Sequence, residues 1–216
     1  MNNTAVEDLF IREETLDNTV CNVVAEKTAT EAAAMTASDI ANGKIIKLTT
    51  AGSIGGTAYA AGDFLKATVT SGESTALTWS KASTSDIKGY IESEIRDWKR
   101  WGRDISKDLG IACWLNNAGD LTAGALTVIL ESSADKASWT EIASAAGSVS
   151  GTDRCARLAF FLLPRTGIKQ YVRVKAKVTT QFAKSGTATA ANVSIGLEND
   201  GDNDIDLSMV QPKIGG

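Results

Sequence analysis

Histidine does not occur among the 216 residues. Its absence removes the commonest general base, the commonest metal ligand and the usual physiological pH switch together. A Ser-His-Asp or Cys-His pair is excluded, and so is a zinc site containing histidine. Cysteine is scarce: Cys21, Cys113 and Cys155 are odd in number, far apart and without CxxC spacing. Cys113, within Ile111 to Leu115, and Cys155, ahead of Ala156-Arg157-Leu158, read as small buried hydrophobes rather than a disulfide framework. Long apolar runs are missing too. The longest, Leu158 to Leu163, suits a buried strand and falls far short of a membrane span. Met1 to Asn18 is polar and acidic and does not read as a signal peptide.

The charge is balanced and slightly acidic, with 22 Lys and Arg against 26 Asp and Glu and a net charge of −4. No broad basic footprint for nucleic acid stands out. The one local exception is Arg96 to Arg103, where Trp98 and Trp101 alternate with Arg96, Lys99, Arg100 and Arg103. Stacking on single-stranded bases is one use of such a segment; a solvated face or a protein contact fits it better. Trp and Arg are enriched at interface hot spots, so Trp98, Arg100 and Trp101 are the candidate partner-interface residues. Packing of both tryptophans on their own domain is the competing reading. Trp114 and Trp139 lie in expected strands and read as core.

Ala, Thr, Ser and Gly dominate, and proline occurs only at Pro164 and Pro212. Many short strands with Gly-containing turns follow from such usage. Leu9-Phe10-Ile11 and Val20 to Val24 read as strand pieces, and Lys27 to Ala37 as a short helix or a loop. Lys44 to Leu48, Phe64 to Thr70 and Thr75 to Trp79 read as strands, with a turn at Gly52 to Gly56, so residues 39–81 form a small β meander. That glycine cluster lacks the Gly-Lys-Ser/Thr ending of a phosphate loop. From Ser85 to Trp98 the pattern fits a helix capped by Ser85-Asp86 and a strand equally well. Leu109 to Leu115, Ala125 to Ser133, Trp139 to Ala143, Ala156 to Leu163 and Gly186 to Leu197 read as strands, and Ser144 to Thr152 as a loop. Tyr171 to Val178 alternates most cleanly: Val172, Val174, Ala176 and Val178 face the core, and Tyr171, Arg173, Lys175 and Lys177 the other way.

The tract Glu198 to Asp206 spaces Asp200, Asp202 and Asp204 like a calcium loop. Ile205, however, stands where the loop needs glycine, and no Glu follows at the twelfth position. A solvated tail or a contact with a basic partner is the better reading. No nucleophile and base pair is recognisable, so no enzymatic activity, cofactor or metal is expected.

The stretch from Arg103 to Asp200 resembles the jelly-roll capsid cement (decoration) proteins of tailed bacteriophages. Arg103-Asp104-Ile105, Leu121 to Asp135, Trp139 to Ser144, Leu162-Leu163-Pro164, Tyr171 to Val174 and Gly186 to Ala190 carry the resemblance. It covers a little under half the chain, and its motifs are structural. The long N-terminal half and the acidic tail depart from the pattern. The resemblance implies a jelly-roll-like antiparallel β-sandwich, an oligomer on the outer capsid surface, a major capsid protein as partner, assembly in the host cytoplasm and no catalytic residues. The expected organisation is an N-terminal arm with the first strand or strands over 1–38, an inserted β module over 39–81, the sandwich over 82–200 completed by an N-terminal strand, and an acidic tail over 201–216. A collar, tail or head-fibre protein is the nearest alternative, a carbohydrate-binding jelly roll the next, and an unrecognised hydrolase the last.

Overall fold

A computed structural model describes residues 9–71, 75–101, 109–150, 157–164 and 166–199, and, at 100, 101, 150 and 199, the backbone only. The chain is mainly β and forms a sandwich of antiparallel sheets with a smaller β module docked on it. In chain order the elements are β1 (Leu9–Leu16), β2 (Val23–Lys27), α1 (Ala29–Ala34), β3 (Ile45–Leu48), β4 (Gly52–Ile54), β5 (Thr57–Tyr59), β6 (Phe64–Thr70), β7 (Ala76–Lys81), β8 (Tyr90–Glu92), β9 (Arg96–Asp97) and α2 (Trp98–Trp101). They continue with β10 (Leu109–Leu115), β11 (Ala123–Ser133), β12 (Thr140–Ser150), β13 (Arg157–Leu162), β14 (Tyr171–Lys184), β15 (Thr187–Ala188) and β16 (Ala191–Asn199).

One sheet of the sandwich runs β1-β16-β10-β13 and the other β12-β11-β14, with β8 and β9 both on the free side of β14. Lys175 pairs with Glu92 and Val172 with Arg96, so β8 and β9 are one strand interrupted by a bulge. Ser93 bridges the interruption, its N–H donating to the Val174 carbonyl at 2.9 Å and its hydroxyl accepting the Val174 N–H at 2.9 Å. With β8 and β9 counted together and the two-residue β15 set aside, the sandwich strands numbered along the chain read 1-8-3-6 in one sheet and 2-7-4-5 in the other. The core between them is built from alternate residues, among them Leu16, Ile111, Leu126, Val174, Phe182 and Ile195. Gly124 has φ +138, and a Cβ there would stand 2.1 Å from the Phe182 ring. The glycine therefore admits the largest fully buried apolar side chain of that core.

The module is the sheet β2-β3-β6-β7 with β2 and β3 parallel, covered on one face by α1 and the β4-β5 hairpin. Its own apolar cluster includes Ala32, Ile40, Ile46, Leu48, Ile54 and Leu65. Thr28 and Glu31 form a capping box that starts the helix. The module thus begins at Val23 rather than 39, because β3 needs a neighbour on its open side and β2, just ahead of α1, supplies it.

Several sequence expectations are corrected. Ser144 to Ser150 belongs to β12, not to a loop: it pairs with β11 residue by residue, and its Ala, Ser and Gly side chains suit a strand lying close to β13, where a Cβ on Gly147 would meet the Leu158 carbonyl. Gly52 to Ile54 is a strand, and the turn is confined to Gly55-Gly56. The segment from Ser85 to Trp98 is neither one helix nor one strand. It holds a short 3-10 turn over Thr84–Asp86, then β8 and β9. Trp139 precedes β12 and is half-buried, and Trp114 is half-buried within β10, so neither is a core residue. Alternation places Trp114 on the outer face of its sheet, opposite Cys113 and Leu115. Cys113 is buried as expected; Cys155, residues 151–156 and the tail 200–216 lie outside the described residues.

Candidate functional site

The largest departure from the sequence expectation lies on β14. Val172, Val174, Ala176 and Val178 face the core, as the alternation requires. Arg173 and Lys175, on the opposite face, are only 3% and 2% exposed. The module lies over them, and its seam with the sandwich gathers six ionised side chains. Glu26 comes from β2 and Lys47 from β3; Glu92 comes from β8, Glu131 from β11, and Arg173 and Lys175 from β14.

Strand register sets their positions. Glu131 stands directly opposite Arg173, and Glu92 opposite Lys175. A one-residue shift between Val23 and Ala25 turns both Val23 and Glu26 toward the seam, beside Ile45 and Lys47. Val23 and Ile45 are buried yet belong to neither apolar cluster.

The Arg173 guanidinium is the hub. Its Nε donates to Glu131 Oε2 at 2.6 Å, Nη1 to Glu92 Oε1 at 3.1 Å and Nη2 to Glu26 Oε1 at 3.2 Å. The Trp139 ring covers its flat face at 4.1 Å, a geometry that favours a delocalised cation. Lys175 donates to Glu26 and, at 2.9 Å, to Glu131. Lys47 donates to both Glu92 oxygens at 2.6 Å, and the Tyr90 hydroxyl donates to Glu92 Oε2 at 2.5 Å. Tyr90 also meets Phe64 of the module edge to face, with centroids 5.8 Å apart.

Burial alone would raise the Glu92 carboxyl, but Lys47, Tyr90 and Arg173 outweigh it and hold it below the ordinary range. For Lys47 the balance tips the other way: burial lowers the ammonium more than Glu92 restores it. Burial, followed by the adjacent Glu92 carboxylate, pushes the Tyr90 phenol far up, so it stays protonated and donating. Burial opposes the charge on Arg173, and Glu92, Glu131 and Glu26 together more than offset it. Removing one member of such a cluster leaves its partners buried and unpaired, at a cost of about 3–5 kcal/mol.

Chemically, the cluster binds the two parts of the chain to each other. Each carboxylate accepts from two or more donors within the seam, so none is left as a free base. The depression beside it, of about 250 Å³ and lined by Phe64, Thr84, Ile87, Tyr90, Ile91 and Glu92, is open to solvent. Among the described residues no group of three or more Cys, Asp or Glu is placed to hold a metal ion.

Trp98 opens α2. Its N–H donates to the Gln170 carbonyl at 2.7 Å, and its ring packs against the core of its own sandwich. The side chains of Arg100 and Trp101 lie outside the described residues. A second surface lies on the outer face of the β1-β16-β10-β13 sheet. There the Phe160 ring covers Gly110, Arg157 stacks on Phe160 at 5.0 Å, and Arg157 pairs with Glu198 at 3.1 Å.

The seam residues escape sequence reading because period-2 alternation assigns a strand two faces without saying what covers the second. One signal was available: Glu131 interrupts an otherwise apolar and small-residue strand, and Arg173 and Lys175 interrupt a valine-rich one. Compared with known protein families, curated proteins and solved structures, the chain matches none.

Proposed function

We propose that this chain is a non-enzymatic structural protein of a virus particle, a capsid cement protein that binds the major capsid protein as a homo-oligomer on the head surface. The observation that carries the reading is the strand order. Eight strands arranged 1-8-3-6 against 2-7-4-5 support a jelly roll, two interlocked Greek keys, an architecture used in viral capsids. That arrangement agrees with the resemblance of residues 103–200 to cement proteins. The docked module adds a second body without lengthening the sandwich, as a projecting element on a shell would.

The experiment is co-sedimentation of purified chain with heads that lack it, followed by heating of the decorated heads. Saturable binding and a raised disruption temperature are the expected result; a chain that stays in the supernatant at every ratio contradicts the proposal. One observation favours a second reading, a carbohydrate-binding jelly roll: Trp114 and Phe160 share the outer face of one sheet. Glycan binding lost in Trp114→Ala, with no binding to heads, would establish that reading instead.

A further inference from the structure

The seam differs from an ordinary core in what holds it. Across it stand Val23 and Ile45, the Phe64–Tyr90 contact and the ion cluster, while the larger apolar clusters lie on either side. The module contributes one cation, Lys47, and one carboxylate, Glu26. The sandwich contributes two cations, Arg173 and Lys175, and two carboxylates, Glu92 and Glu131. Each face is neutral by itself, and the cross-seam pairs are Glu26 with Arg173 and Lys175, and Lys47 with Glu92. The remaining groups at the seam are Tyr90, with Lys177 at 5.8 Å from its ring centroid, and the more exposed Lys66–Asp86 pair at the rim.

Two chain segments join the module to the sandwich, and they are tied to each other. The Asn22 side chain donates to the Asp86 carbonyl at 2.6 Å and accepts the Lys88 N–H at 3.0 Å, and the Asn22 N–H donates to the Lys88 carbonyl. The pair is moored to the middle of β14 by Cys21 N–H to Val178 carbonyl at 2.9 Å and Val178 N–H to Gly89 carbonyl at 2.7 Å. Gly89, at φ +62, lets the strands close, since a Cβ there would stand 2.1 Å from the Thr19 carbonyl oxygen. The module therefore sits on a short two-stranded neck, beside a seam whose charges water can reach when the two bodies part.

We infer that the module is an acid-released arm, held down by Glu26, Glu92 and Glu131 and freed from the sandwich when these carboxylates take up protons. Protonation leaves one cation on the module face and two on the sandwich face, sealed together without counter-charge. A buried charge in that state is costly, and parting the faces hydrates all three cations while both apolar clusters stay intact. Release uncovers Arg173 and Lys175 on β14, with Trp139 stacked on Arg173 from ahead of β12, as a new basic and aromatic surface. The sign follows from Glu92, whose carboxyl is held below the ordinary range: its contribution to docking is fully present above that range and is lost as pH falls through its lowered value. The inference does not depend on the capsid reading.

The test is small-angle scattering with amide exchange on the full chain, titrated from neutral pH down through and below the ordinary glutamate range of about 4, to the pH at which the sandwich itself unfolds. The expected result is a rise in radius of gyration while β3 and β6 of the module and β10, β11 and β16 of the sandwich all keep their protection. A radius unchanged down to the pH at which the sandwich itself unfolds overturns the inference, as does loss of protection in both bodies at once. Glu26→Gln removes the module's own carboxylate from the seam and should move release to higher pH. Glu31→Gln, on the exposed helix cap, should leave the midpoint in place. Equal midpoints for Glu26→Gln and the wild type overturn the inference even if the wild type opens.

Discussion

Two residues decide most at the smallest scale. Arg173 has three carboxylates and a tryptophan face around a guanidinium that is almost wholly buried. Arg173→Met should cost about 3–5 kcal/mol in urea unfolding, because Glu131, Glu92 and Glu26 lose a shared counter-charge. Lys81 pairs with Asp63 at 2.5 Å but is 66% exposed, so Lys81→Met should change stability by less than about 1 kcal/mol. Equal effects from the two variants would show that burial does not set the strength of these pairs. Gly124 makes an independent case. Gly124→Ala combines a backbone conformation that L residues avoid with a collision against Phe182, and should cost about 1–3 kcal/mol, read as a fall in melting temperature.

At the scale of elements, what was legible in the sequence had a local cause. The alternation of Tyr171 to Val178 marks β14, and the apolar run Leu109 to Leu115 matches β10 end to end. The rest depended on neighbours that are distant in sequence. The small residues from Ser144 to Ser150 carry no strand signal of their own; β11 makes them a strand by pairing with them. The bulge that divides β8 from β9 follows from the register of β14 and cannot be seen in residues 85–98 alone. The charged seam was missed for the same reason, since Glu26, the module carboxylate that meets Arg173, lies 147 positions away in the chain. Of the interface candidates, Trp98 supports its own sandwich, so Trp98→Ala should lower the melting temperature whatever its effect on binding. The proposed contact with the capsid or a neighbouring copy then falls to Arg100 and Trp101. Trp101→Ala should keep wild-type stability and lose co-sedimentation with heads; undiminished binding would remove the segment from the interface.

The whole molecule joins a sandwich with strand order 1-8-3-6 and 2-7-4-5 to a module fixed by ionised groups. Its stability should not depend on a bound cation. A chelator is expected to leave the melting temperature unchanged, and a drop reversed by calcium would instead assign a metal to the Asp200 to Asp206 tract. A cement protein acts by repetition, since modest contacts multiplied over a shell give avidity that a single copy lacks. The most direct measurement is therefore absolute quantification of the chain by mass spectrometry in purified particles, as a ratio to the major capsid protein. The account predicts on the order of hundreds of copies per particle, a fixed ratio set by the symmetry of the shell. About a dozen copies would point to a collar or tail, and no copies at all would contradict the account.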